Sequence, residues 1–199
     1  VDWVANRLKN PKDLYERLVS KADNSVVLKI REAGLRGVYI AEENYRYYPF
    51  GTLGAHLLGF VGLGDDDKEI GRNGIEKFYE NSLSGEAGSL RGDQIEKSSP
   101  GADVTLTIDR NIQSRAEEII SGLVRDYNAS GGTVIVQEPT TGKIISMASY
   151  PTFDPNTYAN FSYANFLNLA QSAIYEPGSV FKILTMASAL DAGSVKPDT

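Results

Sequence analysis

The spacing of apolar and polar residues predicts a succession of short elements in the first hundred residues. Leu14 and Leu18 lie one helical turn apart in segment 11–22, which predicts an amphipathic helix there. A second helix is predicted over 24–33, and Gly34 is expected to end it. The remaining predictions are an extended or strand segment 37–48, a helix 52–60 capped by Thr52, a loop 62–74, a helix 74–83 and a strand 89–96.

A more regular pattern follows residue 102. A strand is predicted over 103–108, and Asp109 is predicted to cap a long helix that runs to Asp126. Strands 133–137 and 143–149 are expected to form a hairpin with a turn between them at 139–142. The apolar face of the long helix is expected to consist of Ile112, Ala116, Ile119, Ile120 and Leu123.

A helix followed by a hairpin predicts a helix packed on a sheet, so the expected fold class is α+β. The composition changes near the turn at 98–101, which places a domain boundary close to Ala102. The expected domains are therefore 1–101 and 102–199.

Composition and charge exclude several classes of protein. Apolar residues make up 41% of the chain and charged residues 23%, as in ordinary globular proteins. The net charge of −6 argues against a nucleic-acid partner, which requires a basic face. The absence of cysteine excludes a thiol nucleophile, a disulfide framework and a zinc–thiolate site. No apolar run approaches the roughly 20 residues of a membrane-spanning helix, and no metal or organic cofactor is implied.

The segment 175–182 carries the candidate chemistry. Pro177 suits the first turn of a helix, which is expected to run until Gly193 stops it. Ser179 and Lys182 then lie three residues apart on one face, so the lysine can take the proton of the serine hydroxyl if burial lowers the pKa of its amine. The helix start offers backbone N–H groups to an oxyanion, and Gly178 is expected to keep the approach to the serine open. The pattern predicts a serine enzyme that transfers acyl groups.

A bare Ser-x-x-Lys occurs by chance about once in a chain of this length, but its context is more specific. Pro-Gly-Ser-x-Phe-Lys at the head of an apolar helix resembles the active-site helix of penicillin-binding proteins. Segments 104–109, 132–144 and 147–156, with Ile112 and Gln113, resemble the opening of their transpeptidase domain. The segments that resemble the non-catalytic pedestal of the class B members are Arg46 with Tyr48 and Pro49, 55–59, 71–76, Tyr79, Leu83, Gly85 and Gly88.

This resemblance implies a fold and a function. The fold would be a pedestal (dimerisation-type) domain followed by the N-terminal portion of a transpeptidase domain of the serine β-lactamase type. Ser179 would be the nucleophile that attacks a D-alanyl-D-alanine stem peptide, Lys182 its base, and Gly178 with Ser179 would contact substrate. The implied partners are peptidoglycan stem peptides, β-lactams and a membrane-embedded glycan polymerase. The implied location is the extracytoplasmic face of the bacterial membrane, with an anchor on the N-terminal side of this sequence.

Two parts of the family's site do not occur in the sequence. The family completes its site with a Ser-x-Asn loop and a Lys-Thr/Ser-Gly strand, and neither pattern is present here. The sequence also opens at Val1 rather than at Met, and it stops at Thr199 without a closing element. We therefore expect an incomplete fragment that has negligible transpeptidase activity by itself.

Two other functions compete with this interpretation. The first is a non-catalytic pedestal module that docks on a membrane glycan polymerase and regulates it. The second is a β-lactam sensor or β-lactamase, against which the pedestal-like segment argues. An elongation role and a division role both remain open.

Several other residues allow two interpretations each. His56 is expected to be structural rather than a catalytic base, and Arg72 with Glu76 is expected to form a cap or salt bridge beneath Gly71 and Gly74 rather than a partner contact. Ordinary sheet packing is expected for Tyr45, Tyr47 and Tyr48 rather than a ligand site. The segment 156–166 is expected to form a flexible rim of the cleft.

Overall fold

The computed structural model describes residues 4, 6, 9, 15–19, 21–42, 44–64, 69–86, 89–91, 94–96 and 98–198. The chain divides into two compact units, Val1–Tyr45 and Arg46–Thr199. The boundary predicted near Ala102 concerns family domains rather than compact units, and it stays a prediction.

In the first unit, helix α1 spans Asn24–Ala33 and ends at Gly34, whose φ of 55° is left-handed, as predicted. The helix predicted over 11–22 is wrong for residues 15–19, which are not helical, while 11–14 and 20 lie outside the described residues. Two leucines one turn apart are a weak signal, because nucleating a short helix is costly.

The extended segment 37–48 forms no strand among its described residues. Strand propensity reflects packing on neighbouring strands, and no neighbouring strand is paired with these residues. Tyr48 is buried in the second unit, whereas Tyr47 is 70% exposed. Tyr45 lies beneath the Lys21 ammonium, 4.6 Å from the ring centroid to Nζ. The sheet packing expected for these tyrosines is therefore wrong, and only Tyr48 is a core residue.

The second unit begins with short elements. Helix α2 spans Ala55–Leu58, and its N-cap is Gly54 rather than the predicted Thr52. Strands β1 (Val61–Leu63) and β2 (Glu69–Gly71) pair antiparallel, with Val61 opposite Gly71, so the prediction of a simple loop over 62–74 is wrong. Three residues on each side carry too little hydrophobic alternation to be recognised from sequence.

The next predicted elements are each divided in two. Helices α3 (Gly74–Phe78) and α4 (Glu80–Leu83) replace one predicted helix and meet at Tyr79, whose φ of −106° and ψ of 21° depart from helical values. Strands β3 (Ser89–Arg91) and β4 (Gln94–Glu96) form a hairpin where a single strand was predicted.

The long helix and the following hairpin are confirmed. Helix α5 spans Arg110–Asp126, and the Asp109 carboxylate accepts hydrogen bonds from the N–H groups of Asn111 and Ile112 at 2.8 and 3.0 Å. Strands β5 (Gly132–Gln137) and β6 (Ile144–Tyr150) pair antiparallel. Segment 103–108 is not a strand; near its end the Thr107 hydroxyl donates to the Ile144 carbonyl at 2.6 Å.

The buried face of α5 differs from the predicted one. Ile112, Ile119 and Leu123 are each more than 40% exposed. The residues that α5 buries against the hairpin are Gln113, Ala116, Ile120 and Val124. Side chains of α5 pack directly on the backbone of β5 at Gly132, where an added Cβ would lie 2.7 Å from Cδ1 of Ile120. Helix α5 layered on the β5–β6 hairpin confirms the α+β class.

A second core in this unit is aromatic. Phe153 is fully buried against Tyr48, Ala55 and Phe60, and partly buried rings of Tyr158, Phe161 and Phe166 pack around them. Tyr158 and Phe166 belong to the 3₁₀ turns Pro155–Asn160 and Tyr163–Phe166, and Phe161 lies between the two turns. The segment expected to be a rim of the cleft therefore supplies part of the core. Among the described residues, no helix combines the length and apolarity needed to cross a membrane.

Candidate active site

A change of backbone conformation positions Ser179. Pro177 is in the right-handed helical region, Gly178 then takes a left-handed φ of 57°, and a 3₁₀ turn spans Gly178–Phe181. Helix α7 follows directly as Lys182–Asp191, and the Leu169–Ser172 turn upstream is α6. Ser179 thus lies in a 3₁₀ turn rather than in the α-helix itself. The chain leaves the helix at Gly193, whose φ is 68°, as predicted.

The predicted pair lies at the junction of the 3₁₀ turn and the helix. Ser179 is within the turn, which ends at Phe181, and Lys182 is the first residue of α7. Both side chains are exposed, and within the described part of the chain neither donates a hydrogen bond to the other. Their pairing as nucleophile and base stays a prediction.

The backbone conformation at Gly178 favours glycine. Its φ is left-handed, and an L-residue with a side chain rarely adopts that value. Gly178 therefore sets the direction of the turn that contains Ser179. The open approach to Ser179 that was expected of this glycine stays a prediction.

Helix α7 buries none of its residues. Lys182 is exposed in the part of the chain that the structure describes. The apolar side chains that are left exposed on the turn and on α7 are Val180, Phe181, Ile183, Leu184, Met186 and Leu190.

Gln113, which the sequence analysis did not single out for function, is the polar centre of the layer beneath the hairpin. It is only 1% exposed, and its Nε2 donates to the Met147 carbonyl at 2.9 Å and to Glu117 Oε1 at 2.8 Å. Its Oε1 accepts from the N–H of Met147 and the hydroxyl of Ser146, both at 2.8 Å. The amide is fully satisfied, and it ties α5 to β6. The position of Gln113 between apolar residues of an amphipathic helix was the sequence signal that could have identified it as a buried polar residue.

Contacts also join α5 and the 153–166 segment to the residues around α2. Glu117 Oε1 accepts from the N–H of Gly54 at 2.7 Å. The side chain of Asn156 exchanges two hydrogen bonds of 2.9 Å with the backbone of Tyr48. Segments more than 60 residues apart in sequence are thereby held together by direct polar contacts.

Glu76 has a different partner from the one predicted. It is 5% exposed, and its Oε1 accepts from Nε of Arg46 at 2.6 Å. The expected pair with Arg72 is wrong, since Arg72 donates to the Leu63 carbonyl at 3.3 Å instead. Burial, with the charge of Glu76 as the next cause, raises the pKa of Tyr48, whose hydroxyl accepts from the N–H of Val61 at 2.9 Å. This tyrosine is a neutral core group.

His56 is packed as a structural residue. It is 7% exposed, its ring meets Phe153 edge-on at 5.4 Å, and Nε2 lies 2.9 Å from the Asn165 carbonyl oxygen. Because a carbonyl only accepts, Nε2 carries the hydrogen. Burial lowers the pKa of the imidazole. The structural interpretation of the only histidine agrees with this environment.

Comparisons with known proteins extend this description. Residues 4–105 match the family described as the penicillin-binding protein dimerisation domain, and residues 132–199 match the penicillin binding protein transpeptidase domain. The chain is 34% identical over 189 residues to stage V sporulation protein D of Bacillus subtilis, covering 88% of this chain and 29% of that protein. It is 32% identical over 207 residues to the probable peptidoglycan D,D-transpeptidase PenA of Neisseria meningitidis, covering 97% of this chain and 35% of that protein.

A solved structure gives a similar result. The structure of a protein assigned as a peptidoglycan glycosyltransferase, from Atopobium parvulum, matches with a TM-score of 0.63 and 35% identity. The match covers 74% of this chain and 33% of that one.

The chain belongs to the penicillin-binding proteins, in the class B peptidoglycan D,D-transpeptidase family. It comprises the dimerisation, or pedestal, domain and the start of the transpeptidase domain, which confirms the resemblance seen in the sequence. It spans about a third of the length of the curated relatives it matches.

Proposed function

We propose that this chain carries the nucleophile segment of a peptidoglycan D,D-transpeptidase, with Ser179 as the nucleophile and Lys182 as its base. The observation that supports the proposal is the 3₁₀ turn opened by Gly178, which contains Ser179 and leads directly into α7 at Lys182, within the residues that match the transpeptidase family. Relatives of this chain bear the name D,D-transpeptidase, which sets the expected chemistry.

The reaction would proceed through an ester on the serine. The neutral amine of Lys182 takes the hydroxyl proton while Ser179 Oγ attacks the carbonyl of the penultimate D-alanine of a stem peptide. The proton passes to the departing nitrogen, the peptide bond breaks, and D-alanine leaves. An amine of a neighbouring stem then attacks the ester, which forms the cross-link and restores the serine hydroxyl.

The backbone would stabilise the intermediate. The first N–H groups of a helical turn have no partner within it, so those near Gly178 and Ser179 are available to the oxyanion of the tetrahedral intermediate. Removing one such donor from an enzyme costs about 100- to 1,000-fold in rate. We therefore assign substrate contact to both residues.

The proposal includes partners and location. Stem peptides and β-lactams would be the ligands, a membrane-embedded glycan polymerase the associated enzyme, and the extracytoplasmic face of the membrane the site of action. Residues 1–199 alone are expected to turn over little substrate, because the Ser-x-Asn loop and the Lys-Thr/Ser-Gly strand that complete the family's site do not occur in them.

Penicillin acylation tests the assignment. Polypeptides that contain this sequence would be captured from penicillin-treated cells with an antibody against residues 1–199, digested, and analysed by mass spectrometry. We expect one penicilloyl group on the peptide that contains Ser179. Ser179→Ala should abolish the adduct, and Ser188→Ala, at an exposed serine of the same helix, should leave it unchanged.

A second variant tests the base. Lys182→Arg keeps the positive charge but cannot supply a neutral amine at physiological pH, so acylation should slow by at least about 100-fold. An adduct on another residue, or no adduct at saturating penicillin, would contradict the proposal. An unchanged acylation rate in Lys182→Arg would exclude Lys182 as the base.

A further inference from the structure

A cavity of about 370 Å³ opens in the second unit. This volume lies near the lower end of the range for ligand pockets, about 300–1,000 Å³. Its lining includes Phe60, Arg72, Asn73, Lys77, Tyr163 and Phe166. None of the lining residues belongs to 174–191, so the cavity is distinct from the proposed reaction segment.

The floor of the cavity is aromatic. Phe60 is 5% exposed and its ring centroid lies 4.8 Å from that of the half-buried Phe166. Tyr163 extends this surface, with its centroid 6.5 Å from Phe166 in an edge-on arrangement, and is itself largely exposed. The Phe60 ring is stacked on Tyr158 at 4.5 Å and has little free surface, so an apolar or aromatic group entering the cavity would meet mainly the rings of Phe166 and Tyr163.

The rim of the cavity is positively charged. Arg72 and Lys77 are both exposed, and none of the residues that line the cavity carries a carboxylate. Within the described part of the chain neither cation is in a salt bridge, and the one side-chain hydrogen bond of Arg72 is the 3.3 Å contact with the Leu63 carbonyl. A guanidinium has five donors, so most of its capacity is unused. The whole chain carries a net charge of −6, whereas the charged side chains of the cavity lining are both cations. One carboxylate contacts the lining from outside it: Oε2 of Glu80 accepts from the N–H of Gly71 at 2.6 Å.

We propose that this cavity binds a segment of a partner polypeptide in which a carboxylate side chain stands next to an aromatic one. The aromatic group would pack on Phe166 and Tyr163 while the carboxylate reaches Arg72 and Lys77. The cavity is too small to enclose more than one or two side chains, which favours a ligand whose main chain continues outside. The negative charge of the remaining protein would disfavour such an acidic segment elsewhere on its surface. This inference does not depend on the proposed acyl transfer.

The test is an NMR titration of the ¹⁵N-labelled 199-residue chain with N-acetyl-aspartyl-phenylalanine amide. We expect saturable shifts of the backbone amides of Arg72, Asn73 and Lys77, with a millimolar Kd suited to so small a probe. The asparaginyl analogue, which has the same shape without the charge, should bind about tenfold more weakly. Acetate alone, which lacks the aromatic half, should give no saturable shifts.

Two variants and a matched control complete the test. Lys77→Gln and Arg72→Gln should each weaken binding of the aspartyl probe several-fold, whereas Arg125→Gln removes the same charge from an exposed position that does not line the cavity and should have no effect. The exposed Lys77 provides a variant that keeps the fold if Arg72→Gln does not. Equal binding of the two probes, saturable binding of acetate, shifts confined to other residues, or no binding up to about 20 mM would each overturn the proposal.

Discussion

The aromatic core makes a quantitative prediction at Phe153. This side chain is fully buried, and its ring meets those of His56, Phe60 and Phe166 at centroid distances of 5.4, 5.8 and 5.0 Å. Phe153→Ala removes these contacts together with the buried surface. Buried phenylalanines replaced by alanine typically cost about 3–5 kcal/mol, and edge-on aromatic pairs add about 0.5–1.5 kcal/mol beyond area burial.

The loss at Phe153 should fall in the upper half of that range, about 4–5 kcal/mol, because the surrounding rings come from segments fixed by their own hydrogen bonds and cannot collapse fully into the space. Asn156 is bonded to the Tyr48 backbone, and His56 is bonded to the Asn165 carbonyl. A cavity that does not close lowers the free energy of unfolding by its full amount.

Urea denaturation of the 199-residue chain, followed by fluorescence and circular dichroism, measures this free energy of unfolding. Phe153→Leu retains most of the apolar volume and should cost about 1–2 kcal/mol. Phe78→Ala is the matched control, since Phe78 is 78% exposed, and it should cost less than about 1 kcal/mol. If Phe153→Ala were no more destabilising than Phe78→Ala, the account of the aromatic core would be refuted.

Three further predictions follow from single contacts. Arg46→Met leaves the buried Glu76 carboxylate without its 2.6 Å partner and should lower the free energy of unfolding, measured in urea, by about 1–3 kcal/mol. Glu76→Gln should lower it by less, and a larger loss in Glu76→Gln than in Arg46→Met would contradict the proposed role of the ion pair. Because burial lowers the pKa of His56 below its ordinary 6.5, the unfolded chain binds more protons, so the unfolding free energy should fall as pH drops from 6.5 toward the folded pKa. If the unfolding free energy of His56→Gln fell by the same amount between about pH 8 and pH 5, the pH dependence would come from groups other than His56. Gly178→Ala forces a side chain into a left-handed φ at a cost of about 1–2 kcal/mol, so the exposed turn should rearrange and penicillin acylation of Ser179 should slow. Gly193→Ala, which introduces the same strain at the other end of α7, should leave the acylation rate unchanged.

Elements with a complete local signal were predicted well. Asp109 followed by an amphipathic run specified the start of α5, and the turn at 139–142 specified the β5–β6 hairpin. The glycines at 34 and 193 marked helix ends because a left-handed φ is a property of a single residue. Such signals act within a few residues, so no knowledge of the rest of the fold is needed to use them.

Elements that depend on distant partners were not predicted. The pairing of Val61 with Gly71 involves strands of three residues, which are too short for a period to show. Glu76 was assigned to the nearby Arg72, but its partner is Arg46, 30 residues away. The buried face of α5 was rotated from the expected one because Gln113 takes a core position, where its amide matches the backbone of Met147 on β6.

The sequence by itself determined the α+β order of the second half, the helix ends and the placement of Ser179 and Lys182 three residues apart at a helix start, since all of these follow from local backbone preferences. Only the tertiary structure decided which residues are buried. It placed His56 and Phe153 in an aromatic core built from both halves of the sequence. Burial is a property of the surrounding atoms rather than of the residue, and for this reason the packing of these two rings could not be read from the residues next to them in the sequence.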